Sequence, residues 1–84
     1  MGPQEIKQRI EQNLSEAKVS LRDLTGTADH WEVTVVSPAF EGKPMLEQHR
    51  LVKSFFESEI AAGTVHALSL KTYTPAEWQK FGGR

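Results

Sequence analysis

Between residues 4 and 15, Ile6, Ile10 and Leu14 recur at every fourth position, with charged and amide residues between them. That spacing puts the three on one stripe of a first helix, and Pro3 suits its first turn. The period then drops to two. In "KVSLRDL" Val19 and Leu21 alternate with Ser20 and Arg22, which predicts a strand. A short loop, "TGTAD", contains Gly26, which tolerates a positive φ. In "HWEVTVVS" Trp31, Val33 and Val35 share one face, and His30, Glu32 and Thr34 the other. The two strands read as a hairpin. Pro38 and Gly42 break the alternation, and a helical period runs from Pro44 to about Ile60. It places Met45, His49, Val52, Phe56 and Ile60 on one stripe, with Gly63 as the stop. A third strand is expected over His66–Thr72. After it, Thr74, Pro75 and Glu77 spell a capping box for a last helix.

The resulting order, helix, strand, strand, helix, strand, helix, predicts an α+β domain with helices laid on one face of a three-stranded sheet. At 84 residues the chain has room for one core, expected over about residues 4–80, with residues 81–84 as a flexible tail. A hydrophobic fraction of 38% beside 25% charged residues fits a globular domain. The net charge of −1 argues against general attraction to nucleic acid. No apolar run approaches the ~20 residues of a membrane span, and the N-terminus lacks a signal core, so a cytoplasmic location is expected. With no cysteine, the chain has neither disulfides nor thiolate ligands. Any iron or zinc it bound would need imidazole or carboxylate, and any sulfur ligand would come from another molecule.

Chemistry therefore rests on three histidines. His49 lies on the apolar stripe of the long helix, where packing explains it. His66 alternates with Leu68 and Leu70 and opens its strand. Spacing leaves it open between an inward-facing packed ring and a ring presented at the sheet's rim. His30 closes the hairpin loop. Alone it reads as solvated, and the pair gains meaning only if the loop and the start of the third strand are neighbours. Neither matches a zinc motif. No Ser/His/Asp arrangement is visible, Glu57 and Glu59 read as a solvated helix face beside Lys53, and no phosphate-binding glycine loop exists, so no enzyme is expected. Lys43, Arg50 and Lys53 form a basic patch on the long helix, interrupted by Glu47, Glu57 and Glu59.

Taken together, "HWEVTVVSPAFEGKPMLEQHRLV" and "VHALSLKTYTPAEW" resemble the BolA family. The resemblance spans roughly residues 30–78. It is carried by the valine-rich strand ending at Ser37, by Phe40 and Gly42, by His49–Arg50, by His66-Ala67-Leu68, and by Lys71-Thr72 with Thr74-Pro75. Gln48 departs from the arginine many relatives carry there, which makes the helix less basic. The resemblance implies a fold related to the class II KH domain, with a helix-turn-helix-like element around the long helix. It also implies pairing with a monothiol glutaredoxin and a shared [2Fe–2S] cluster. His66 matches the family's C-terminal histidine ligand, and His30 stands where subgroups carry a second ligand. Asp29 is either an orienting neighbour of His30 or a plain solvated carboxylate. Two imidazoles on one iron, with a glutaredoxin cysteine and glutathione on the other, would resemble mixed Rieske ligation. Imidazole must be unprotonated to bind, so loading should weaken below about pH 6.5. Lys71, Tyr73 and Trp78 are the expected docking surface, with or without metal. The alternative is a DNA-binding regulator that uses Lys43, Arg50 and Lys53. Without a partner, a monomer or weak dimer is expected.

Overall fold

A computed structural model describes residues 2–26, 30–63 and 67–82. Helix α1 spans Pro3–Asn13, with proline in its first turn, and buries Ile6 and Ile10. Strands β1 (Lys18–Asp23) and β2 (His30–Val36) follow, and a 3-10 turn covers Pro38–Phe40. Then come α2 (Met45–Ser54), α3 (Glu57–Ala62), β3 (Ala67–Tyr73) and a short α4 (Pro75–Glu77), which widens into a π-helical turn over Trp78–Gly82. The expected third strand began at His66, which lies outside the described residues.

The sheet order is β1-β2-β3. β1 runs antiparallel to β2, and β3 runs parallel to it. Parallel neighbours cannot be joined by a tight turn, so the chain crosses back from β2 to β3 through α2 and α3. Central β2 alternates as its sequence predicts. Trp31, Val33 and Val35 are buried, and His30, Glu32 and Thr34 are half-buried on the other face. Against the buried face pack Ile6, Ile10, Leu14, Phe40, Val52 and Phe56. Burying side chains of this size is worth roughly 1.5–3 kcal/mol each, which makes this face the main source of stability.

The helical period from Pro44 to Ile60 does not give one helix. It breaks at Phe55–Phe56, where Phe55 N bonds the Val52 carbonyl and Phe56 N the Lys53 carbonyl in a tighter turn. A residue far back in the sequence fixes the break. Arg9 of α1 donates from Nη1 to the Phe55 carbonyl at 3.1 Å and pairs with Glu59 at 2.7 Å. Its guanidinium also stands 5.4 Å from the centre of the Phe56 ring. The break turns Ile60 outward, leaving it 43% exposed, and Met45, expected on the buried stripe, is 66% exposed. The stripe meets the core at Val52 and Phe56 only.

Two buried polar residues pin the connections. Ser37 donates to the Ser15 carbonyl at 2.8 Å and accepts from Ala39 N, closing the start of the 3-10 turn. Gln48 donates from Nε2 to the Lys43 carbonyl at 2.8 Å, and its Oε1 accepts from Thr72 Oγ1 at 2.6 Å. The Gln48 side chain is buried, so its exchange for arginine bears on packing more than on surface charge. Buried amides need such partners, because an unsatisfied one costs about 1–3 kcal/mol.

Candidate metal and partner site

His30 is the first residue of β2, and the chain is brought to it by a local device. Asp23 Oδ1 accepts from Thr25 N at 3.1 Å and from Gly26 N at 2.9 Å, while Gly26 takes φ +76°. This is the side-chain turn that aspartate favours. Leu24 N then donates to the His30 carbonyl at 3.0 Å, closing the described part of the hairpin.

In the parallel β2–β3 ladder, the Cα partner of His30 is Ala67. Neighbouring strands lie about 4.8 Å apart. At that spacing the start of β2 lies against the first described residue of β3. His66 itself, and Asp29 beside His30, lie outside the described residues. Among the described residues no three His, Asp or Glu side chains surround a common point. His49 is elsewhere, half-buried on α2. Burial, and then the Lys53 charge, hold its imidazole below the ordinary histidine pKa.

The face of β2 that carries His30 also carries Glu32 and Thr34. On β3 the same face carries Lys71 and Tyr73. Tyr73 meets Trp78 with ring centres 5.4 Å apart, so the sequence-expected docking residues Lys71, Tyr73 and Trp78 share the open side of the sheet. Trp78 reaches this side because the capping box forms as the sequence predicts. Thr74 accepts from Glu77 N, and the Glu77 carboxylate accepts from Thr74 N.

The basic patch lies apart from this surface. Lys43, Arg50 and Lys53 are exposed on and just before α2. Among the described residues, no ion pair joins them to Glu47 or Glu57. Glu59, read as part of a solvated face, instead pairs with Arg9, whose hydrogen bond holds its carboxyl below the usual carboxylate range.

Sequence reading missed a cross-strand charge cluster. Glu32 lies 3.6 Å from Arg22 on β1 and 3.7 Å from Lys71 on β3. Alternation alone puts Arg22 and Glu32 on polar faces. Their meeting needs the register that pairs Arg22 with Glu32.

A three-stranded mixed sheet, with one face under helices and a histidine opening its central strand, defines a small α+β domain. A family model described as BolA-like protein matches residues 4–77, and the chain belongs to the BolA family. Mouse "BolA-like protein 1" is 40% identical over 88 residues, covering 94% of this chain and 64% of that protein. The Escherichia coli "DNA-binding transcriptional regulator BolA" is 43% identical over 54 residues, covering 64% of this chain and 50% of that protein. The chain thus spans under two thirds of either relative's length. A solved BolA homologue from Coxiella burnetii is 42% identical, with TM-score 0.78, covering 94% of this chain and 97% of that one.

Proposed function

We propose that this chain is a non-enzymatic adaptor that docks on a monothiol glutaredoxin and completes a [2Fe–2S] cluster shared with it. The observation that carries the reading is the pairing of His30 with Ala67, the residue next to His66. His66 and His30 would hold one iron, and a glutaredoxin cysteine with glutathione would hold the other. When bound, the cluster supplies one-electron chemistry at a potential raised by imidazole ligation. The protein's own residues position and dock. The Asp23 turn fixes where the hairpin arrives, and the β2–β3 ladder keeps its end against the start of β3. A chain without thiolates would contribute imidazole and leave sulfur to its partner. Alternation would set position 66 on the side of Leu68 and Leu70, away from His30, so joint ligation requires that position to break alternation. Reconstitution with glutaredoxin, iron, sulfide and glutathione, followed by visible absorption and circular dichroism, tests the assignment. The His66→Ala variant is expected to change the spectrum of the complex. An unchanged spectrum removes His66 as a ligand.

The second reading is a DNA-binding regulator. It is supported by the name of the bacterial relative and by three exposed cations free of ion pairs with Glu47 and Glu57. Neutralising Lys43, Arg50 and Lys53 together is expected to lower the slope of log affinity against log salt by about three, near one per phosphate contact. Anisotropy with labelled duplex DNA reads this, and an unaltered slope ends the reading.

A further inference from the structure

The open face of the sheet carries three cations on its two outer strands, Lys18 and Arg22 on β1 and Lys71 on β3; Arg22 and Lys71 flank the Glu32 carboxylate of β2, and Lys18 stands opposite Val36 at the other end of the ladder. Arg22 and Lys71 approach that carboxylate only at 3.6 and 3.7 Å, with their side chains 71% and 55% exposed. Both keep donors turned to solvent. At the Lys18 end of the face, Glu16, Lys18, Val36, Pro38, Pro75, Trp78 and Gln79 line a groove of about 290 Å³. Val36 lies on this polar side, yet it is only 6% exposed. Trp78, Val36, Pro38 and Pro75 give the groove an apolar wall suited to an anchoring side chain.

We infer that this face docks a protein partner presenting carboxylates beside an apolar side chain. The carboxylates would meet Arg22, Lys71 and Lys18, and the apolar side chain would enter the groove at Trp78. Charge complementarity decides the occupant, since this surface sets Lys18, Arg22 and Lys71 against Glu32 on the strands and Glu16 at the groove. The inference rests on the glutaredoxin reading and deepens it, adding Arg22, Lys18 and Glu32 to the contact surface. His30 stands on the same face, one alternate position beyond Glu32, so a partner docked here lies against the proposed ligand. Glu32 acts as an internal competitor. It occupies the two cations the partner would use, so removing its charge should tighten binding while costing the free protein two long, weak ion pairs.

The test is calorimetric titration of the intact chain with a monothiol glutaredoxin at low and high salt. Arg22→Glu is expected to weaken binding about tenfold at low salt and to flatten its salt dependence. Lys71→Glu should act in the same direction, and Glu32→Gln in the opposite one. The variant Glu11→Gln, altered on the exposed side of α1, should leave affinity unchanged. Circular dichroism confirms folding of each variant, and Arg22→Gln serves if Arg22→Glu misfolds. Wild-type binding that is indifferent to all the open-face variants overturns this inference and leaves the adaptor reading standing. No wild-type binding overturns both. If the open-face variants instead abolish binding of a labelled single-stranded oligonucleotide, or dimerisation in sedimentation, and spare glutaredoxin, the face belongs to another occupant and the inference fails.

Discussion

The two faces of the sheet are built by different physics. On the helical face, Val33, Val35, Phe40, Val52, Phe56, Ile6 and Ile10 are wholly buried, and what holds them is apolar area. On the open face, Arg22, Glu32 and Lys71 hold one another at distances where solvent screens most of the attraction. The first face keeps the chain folded. The second contributes little to stability, so changes there should leave folding nearly intact.

The largest expected effect lies on the helical face. Phe56→Ala should destabilise by about 3–5 kcal/mol, through lost burial and the cavity left behind. Urea denaturation reads this as a large fall in midpoint, and a loss below about 1 kcal/mol would mean that the face is not the core. Gln48→Ala comes next, at about 1–3 kcal/mol, because it strands the buried Thr72 hydroxyl. Pairing it with Thr72→Val should recover part of that loss, and simple additivity would break the assignment of the bridge.

Those two residues mark where the sequence stops being legible. Alternation in β2, the Ile6–Ile10–Leu14 stripe, the Thr74 box and the left-handed Gly63 could all be read from spacing, since each is a local signal. Gln48 looks like an ordinary polar position on a helix wheel. Its partners, Lys43 and Thr72, are joined to it only by the fold. The helix break is invisible for the same reason. The apolar period runs straight through Phe55, and the guanidinium that donates to its carbonyl lies 46 residues away. The ligand roles of His30 and His66 are implied by the family resemblance alone; spacing placed His30 at the start of its strand. It could not supply the parallel register that sets Ala67 against His30, nor the Arg22–Glu32–Lys71 cluster.

Arg9→Ala should cost about 1–2 kcal/mol, since it removes a charged hydrogen bond and an ion pair that are both partly solvated. The loss should concentrate in α3, which buries no side chain of its own. Amide exchange over Glu57–Ala62 should quicken while that of β2 stays slow. Equal acceleration of both would deny that Arg9 is a local tether.

On the open face, Arg22→Ala should change stability by no more than about 0.5 kcal/mol. A larger loss would make that face structural and erase the contrast.

The smallest effect is one of pH. The imidazole of His49 titrates below its unfolded value, chiefly through burial, so the unfolded chain takes up a proton first as pH falls. The stability this group contributes is present above the unfolded histidine value of about 6.5 and is lost as pH drops from there towards the folded value. His49→Gln should make the acid-side decline shallower, and an identical decline would place the titrating group elsewhere.

If His30 and His66 ligate one iron as proposed, both imidazoles must appear in the reduced cluster. The direct measurement is pulsed electron paramagnetic resonance on the reduced complex with glutaredoxin, counting strongly coupled histidine nitrogens. The account predicts two couplings in the wild type, with one left after either His30→Ala or His66→Ala. A wild-type complex with a single coupling, indifferent to His30→Ala, would contradict it.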